Sequence, residues 1–154
     1  MEAEIRRAQP FDAKALLPLV CEHASFERKT ATCSDGDLQA QLGGEEPRLI
    51  AWIAELDGRS CAYASATIDH ATWTGKPYLH LDCLFVRPGY RNDGLGARLL
   101  RTARLYALSI GIDELQWQTP AWNERAIQFY VREGATIEAK TRFLLRNVGR
   151  SQAI

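Results

Sequence analysis

The sequence predicts a mixed α/β fold, a central and mostly antiparallel sheet with helices packed on it. Three observations predict it. The first half carries three strand-like runs in succession, "RLIAWIAEL", "RSCAYASATI" and "YLHLDCLFV", the first two joined at Asp57-Gly58. In the second half a strand, a helix and a further strand follow one another, the signature of a parallel pair with a right-handed crossover. The chain has 154 residues, 46% of them apolar and 25% charged, which fits one domain (1–154) with a sizeable core.

The elements follow in order. "AEIRRAQ" reads as a short strand, and Asp12 is positioned to cap a helix whose Ala15, Leu16, Leu19, Val20 and Ala24 recur at helical spacing. Ser34 with Asp37 resembles a capping box that opens a short helix ending at Gly43-Gly44. The hairpin follows, then the loop "TWTGKP", then a long strand from Tyr78 to Val86. A helix from about Gly94 to Ile110 carries the stripe Leu95, Leu99, Leu100, Ala103, Ala107 and Leu108, and Gly111 stops it. "ELQWQT" reads as a strand, and Asn123 caps a helix that Gly134 ends. "ATIEAKTRFLLRN" supplies one or two last strands, giving the order β-α-α-β-β-β-α-β-α-β(β). Trp52, Trp117 and Trp122 are expected in the core.

Composition narrows the function. The formal net charge is zero, which does not favour a general nucleic-acid surface. No apolar run reaches the roughly 18 residues that a bilayer requires, and the N-terminus has no signal-peptide pattern. Cys21, Cys33, Cys61 and Cys83 show no C-x-x-C spacing, so no metal is expected and free thiols in a cytoplasmic protein are.

The stretch "RNDGLGARLL" carries the strongest chemical signal. Gly94 and Gly96 let the backbone approach a ligand closely, and the helix start aims unpaired N–H groups at it. Arg91 adds a donor suited to phosphate oxygens. From Arg87 to Arg104 there are five arginines against one acid, Asp93. A Walker loop is excluded because no Lys-Ser/Thr follows. A dinucleotide fingerprint fits poorly, with Leu99 in its third glycine position. R/Q-x-x-G-x-G/A after a strand fits. A glycine-opened helix that binds nothing remains the alternative for this motif alone. The Arg98/Arg101/Arg104 series can also be a solvated helix face.

A second motif, "NERAIQFYVREGA", lies about thirty residues further on. Together the two segments resemble the GNAT superfamily of N-acetyltransferases over roughly residues 3–148. "WTGKPYLHLDCLFVRPGYRNDGLG", "AWNERAIQFYVREGA" and "CEHASFE" are most similar to its spermidine/spermine (diamine) branch. The resemblance implies the GNAT fold and acetyl-CoA as co-substrate. It implies that backbone groups of Leu84, Phe85 and Val86 hold the acetyl carbonyl and pantetheine arm. The loop of Arg91, Asn92, Asp93, Gly94, Leu95, Gly96 and Ala97 would hold the pyrophosphate. Asn123 would contact the pantetheine and Tyr130 would protonate the leaving thiolate. Glu27 and Trp73 carry over as acceptor-pocket residues, and Asp82 stands where the branch normally has a glutamate. The partners expected are a small-molecule amine and a second copy of the chain in a homodimer, with no nucleic acid and no membrane.

The residue chemistry agrees. Asn123, Ala126, Ile127 and Tyr130 fall at i, i+3, i+4 and i+7 and share a helix face, where small Ala126 leaves room for a ligand. A free alkylamine has a pKa near 10.4, so only about one molecule in a thousand is neutral at neutral pH and a base helps. Alternation puts Leu79, Leu81, Cys83 and Phe85 on one strand face and His80, Asp82, Leu84 and Val86 on the other. Asp82 acting through water is the candidate base and His80 its rival. A buried structural hydrogen-bonding role for Asp82, and plain core packing for Tyr130, are the alternatives. No cysteine motif asks for an acyl-enzyme, so direct attack in a ternary complex is expected. The alternative acceptors are an aminoglycoside-like amine and a protein N-terminus or lysine. A non-catalytic acyl-CoA-binding module is the reading from another class.

Overall fold

The computed structural model describes residues 2–149. The elements are β1 (Glu4–Arg7), α1 (Ala13–Phe26), α2 (Asp35–Leu42), β2 (Ile50–Leu56), β3 (Arg59–Ala71), β4 (Lys76–Val86), α3 (Leu95–Ser109), β5 (Leu115–Gln116) and α4 (Glu124–Arg132). The five strands form one sheet in the order β1-β2-β3-β4-β5. The first three pairings are antiparallel and β4–β5 is parallel, the mixed sheet that the sequence predicts. The chain divides into two compact units at Pro120–Ala121, with the sheet and α1–α3 in the first and α4 in the second.

Local chemistry sets the element ends. Asp57 and Gly58 have φ of 52° and 74°, the paired positive values that a tight I′ hairpin turn needs. Ser34 Oγ accepts from the Asp37 N–H at 3.1 Å and Asp37 Oδ2 accepts from the Ser34 N–H at 2.8 Å, closing the expected capping box. Asp12 behaves differently from the expectation. It stands at the N-cap of α1 but makes no cap hydrogen bond there. Its carboxylate accepts from the Gln9 N–H at 2.7 Å and from both terminal nitrogens of Arg6, at 2.7 and 2.9 Å. A charged partner outcompetes a backbone cap for a buried carboxylate.

That pair has a pH signature. The Arg6 hydrogen bond, with help from the Gln9 N–H, holds the Asp12 carboxyl below the usual range. Its stabilisation is therefore present above the unfolded value near 3.9 and is lost as pH falls through the lower folded value. Asp12 is 5% exposed but Arg6 is 33% exposed. Asp12→Asn is therefore expected to cost about 2 kcal/mol at neutral pH, below the range for a fully buried pair. Denaturant titrations at neutral and acidic pH check this: the gap between variant and wild type should close in acid.

The sheet has two covered faces. Residues directly opposite in antiparallel strands share a face. Ala51, Ile53, Tyr63 and Phe85 belong to a buried cluster with Leu16 and Leu19 of α1 and Leu38 and Leu42 of α2. On the other face Ala62, Ala64 and Ala66 pair with Val86, Leu84 and Leu81. These three alanines let α3 come close, and α3 buries Leu95, Leu99, Leu100, Ala103 and Ala107 against β3 and β4.

One irregularity shapes everything that follows. Ser65 pairs with Cys83 and Ala66 with Leu81, so Asp82 is an extra residue opposite no partner of its own. This is a β-bulge, which bends a strand and re-aims side chains. Strict alternation along β4 therefore fails. His80 pairs with Thr67 on the α1 face, and beyond the bulge Cys83 and Phe85 take that face while Leu84 and Val86 turn to α3. The predicted grouping of Leu79 and Leu81 with Cys83 and Phe85, and of His80 with Leu84 and Val86, is corrected by this one-residue shift.

The bulge also explains β5. The run "ELQWQT" pairs with β4 only at Leu79↔Leu115 and His80↔Gln116. Pairing ends where β4 bends. The terminal run read as one or two strands forms none among the described residues, and Ile137, Phe143, Leu144, Leu145 and Val148 are exposed. Strand periodicity states a capacity for pairing; a strand forms only beside a partner backbone. Trp52 is buried as expected, Trp117 is half-buried, and Trp122 is exposed, against the expectation that it packs the core.

Candidate active site

The first unit brings four features to the C-terminal half of β4. The first is an open strand edge. The Arg87 N–H donates to the Cys61 carbonyl at 2.9 Å, so Arg87, Phe85 and Cys83 turn their main-chain groups to β3. Leu84 and Val86 turn theirs the opposite way, where no strand of the described residues pairs beyond His80. Such an edge accepts an extended ligand that carries amide groups.

The second feature is the helix start that follows. Asn92 and Gly94 have φ of 72° and 75°, and this left-handed pair folds the loop back before α3. The first intrahelical bond runs from the Arg98 N–H to the Gly94 carbonyl at 3.0 Å. The N–H groups of Leu95, Gly96 and Ala97 thus have no carbonyl within the helix and carry the positive end of its dipole. Arg91 sits differently from a simple phosphate donor. Its Nε–H donates to the Val86 carbonyl at 2.7 Å, and its guanidinium lies 5.1 Å from the Phe26 ring centre and 5.7 Å from that of Phe85. It ties the loop to the end of β4. Arg87 binds Glu22 at 2.7 Å and Arg98 reaches the Ala3 carbonyl at 2.8 Å, so part of the basic run is spent on the fold.

The third feature is Asp82 itself. It is exposed on the bulge, not buried as expected, and an amine from solvent can reach it. His80, on the α1 face, is 3.5 Å from Thr67 Oγ1 and 4.0 Å from Asp69 Oδ2 through Nδ1. Trp73 lies in the turn beyond Lys76 and is 99% exposed. Six residue steps of strand, about 20 Å at some 3.3 Å each, separate Lys76 from Asp82.

The fourth feature was missed from sequence. His23 Nδ1 lies 2.9 Å from the Tyr63 hydroxyl and His23 Nε2 lies 2.6 Å from Glu27 Oε2. The His23 ring stacks on Phe85 at 5.2 Å. Glu27 therefore has its carboxylate engaged by His23. On β4, Cys83 Sγ lies 3.8 Å from Asp82 Oδ2. Burial first, then Cys83, Asp82 and Glu27, push the Tyr63 phenol far above its ordinary value, so it keeps its proton. Burial first, then Asp82, pushes the Cys83 thiol up to about 11. A thiol so protonated is a poor nucleophile. His23 and Glu27 were legible as an i, i+4 pair, whereas Tyr63 required the β3–β4 register.

The second unit presents α4. Asn123 Oδ1 accepts from the Ala126 N–H at 3.3 Å and caps the helix as expected. Asn123, Ala126, Ile127 and Tyr130 are all half-buried, and Glu124, Arg125 and Gln128 are exposed, so the predicted face exists. The Tyr130 ring lies 5.1 Å from that of Phe129.

Residues 17–135 match the acetyltransferase (GNAT) family model. The chain belongs to the GNAT acetyltransferase family. This acetyltransferase is 28% identical to thialysine N-epsilon-acetyltransferase of Sus scrofa over 85% of the chain and 82% of that protein. It is 26% identical to spermidine/spermine N(1)-acetyltransferase-like protein 1 of Homo sapiens over 86% of the chain, which accounts for 20% of that longer protein. Its fold superposes on the aminoglycoside acetyltransferase AAC(6')-Iy in complex with a CoA-containing bisubstrate analogue, with TM-score 0.79 at 20% identity, over 96% and 99% of the two chains. The family, the diamine-branch relatives and the mixed α/β fold all agree with the sequence reading. No helix among the described residues is long and apolar enough to cross a membrane.

Proposed function

We propose that this acetyltransferase moves an acetyl group from acetyl-CoA to a primary amine of a small molecule, by direct attack in a ternary complex. The acceptor is a diamine, a polyamine or a lysine-like amino acid. The observation that carries this reading is the exposed carboxylate of Asp82 on the bulge, beside the open edge of β4. Leu84 and Val86 receive the acetyl carbonyl and the pantetheine amides along that edge. The N–H groups of Leu95, Gly96 and Ala97 receive the pyrophosphate. Asn123 and Tyr130 serve the pantetheine and the leaving thiolate, with both units acting as one domain. Asp82 attracts the ammonium and takes its proton, through water because its side chain is short. The protonated Cys83 supports direct attack over an acyl-enzyme. The relatives' names, one on thialysine and one on spermidine and spermine, support a slim acceptor with a second charge. A cytoplasmic homodimer completes the proposal, supported by the exposed apolar side chains Ile137, Phe143, Leu144 and Leu145.

Thiol release from acetyl-CoA with thialysine, lysine, ornithine, putrescine, spermidine, an aminoglycoside and a lysine peptide tests the acceptor. Turnover confined to the last two would sink the slim-amine reading. Asp82→Asn keeps the shape and loses charge and basicity. It is expected to raise the amine KM, to lower kcat by at least about tenfold, and to move the pH profile toward alkaline values where free amine is abundant. Unchanged kinetics from about pH 6 to 9 would make Asp82 a structural residue.

A further inference from the structure

We propose that His23 is a positioning residue for the acceptor. It holds the Glu27 carboxylate where that carboxylate binds the second ammonium group of a dicationic amine, and so sets a preference for such amines over monoamines. The inference rests on the reading of Asp82 and Glu27 as acceptor-pocket residues and deepens it.

Contacts from three elements fix the imidazole. On α1 its Nε2 lies 2.6 Å from Glu27 Oε2, one turn further along. From β3 the Tyr63 hydroxyl lies 2.9 Å from Nδ1. From β4 the Phe85 ring stacks on it at 5.2 Å, with 19° between the planes. The Glu27 carboxylate only accepts, so Nε2 carries a hydrogen toward it in either charge state of the ring. The Tyr63 phenol is 2% exposed and keeps its proton, which it donates to Nδ1 of the neutral ring. Both nitrogens of a nearly buried imidazole are thus satisfied. A packing role needs neither bond.

Glu27 gains a fixed geometry from this. It caps the C-terminal end of α1, where a long side chain otherwise samples several rotamers, and the His23 bond selects one. A carboxylate has two oxygens. With Oε2 on His23, Oε1 can take an ammonium group. The Glu27 side chain is 31% exposed against 13% for His23, so the carboxylate meets solvent more than the imidazole does. Phe85, under His23, and Cys83 are successive residues of β4 on the α1 face, about 7 Å apart. Cys83 Sγ lies 3.8 Å from Asp82 Oδ2. The Glu27 and Asp82 carboxylates therefore belong to neighbouring stretches of one wall. A slim diamine has an end for each: the amine at Asp82 reacts and the other rests on Glu27. A monoamine has nothing to place at Glu27.

The test measures kcat and KM for putrescine, thialysine and butylamine, the last with a single amine. Wild type is expected to prefer the two dications, and no preference for either overturns the inference. Glu27→Gln keeps the shape and loses the charge. It should lower the dication preference in kcat/KM about tenfold, through KM, with kcat within about twofold. His23→Asn sets its amide near the place of Nδ1 and loses the donor at Nε2. His23→Gln sets its amide near the place of Nε2 and keeps that donor. The first should lower the preference about fivefold, and the second should hold it within about twofold of wild type. Equal losses in the two variants, or none in either, overturn the positioning role. In a Glu27→Gln background His23→Asn should cost nothing further, and an undiminished loss there overturns the role as well. Asp82→Asn separates the readings. If it slows turnover of all three amines while Glu27→Gln leaves the preference intact, this inference alone is refuted; unchanged turnover in Asp82→Asn refutes the base assignment. Wild-type protein decides the matter even if the His23 variants do not fold. With coenzyme A bound, the His23 ring resonances in NMR should shift with putrescine and not with butylamine, and equal responses to the two amines refute the role.

Discussion

Tyr130→Phe is expected to lower kcat by about 10² to 10⁴ while leaving acetyl-CoA affinity near normal, because general acid catalysis is worth that much and the ring is retained. Asn123 caps α4, and Ala126, Ile127 and Tyr130 follow on the same half-buried face. Small Ala126, one turn before Tyr130, is expected to leave room for a ligand. Phenylalanine keeps the packing against Phe129, whose ring lies 5.1 Å away. The departing thiolate of coenzyme A would then leave without a proton. Steady-state kinetics with the best amine of the panel, paired with titration calorimetry for acetyl-CoA, give the two numbers needed. A turnover number within twofold of wild type would remove Tyr130 from the chemistry.

Gly96→Asp is expected to weaken acetyl-CoA binding by about a hundredfold or more, through loss of space and a negative charge against the pyrophosphate. The variant is informative because the fold has reason to tolerate it. Gly96 is the second residue of α3, within the helix, and the left-handed position before it belongs to Gly94, with φ of 75°. An aspartate in the first turn of a helix is favourable to the helix dipole. Lost binding in a variant with wild-type circular dichroism would therefore report on the ligand. Unchanged calorimetric affinity in such a folded variant would refute this placement of the pyrophosphate.

The sequence carried the parts of the fold that depend on local chemistry. Ser34 and Asp37, Asp57-Gly58, Gly94, Gly111 and Asn123 each end or begin an element where their backbone preferences say they should. What it hid depends on pairing. Nothing in "YLHLDCLFV" announces that Asp82 is skipped in the ladder, because a bulge is a property of two strands in register. The terminal run shows the converse, strand-like residues with no strand among the described ones. The site divides the same way. The glycine loop and the α4 face were legible from spacing. The bond from His23 to Tyr63 joins residues forty positions apart and was not. Asp12 was misread because its competitor for hydrogen bonds, Arg6, is on another element.

The bulge also sets the rules for anyone who would recode the α1-facing wall of β4 in this enzyme. Along β4 the wall facing α1 is written at Tyr78 and His80 before the extra residue and at Cys83 and Phe85 after it. A mutant library that varies every second position from Tyr78 onward would change phase halfway. Its downstream members would land on Leu84 and Val86, beneath α3, and would screen folding while appearing to screen specificity. A library that skips a step at Asp82 would sample one continuous surface. The hidden insertion is thus a coding frame for side chains, and a designer who misses it would read the second half of the strand out of frame.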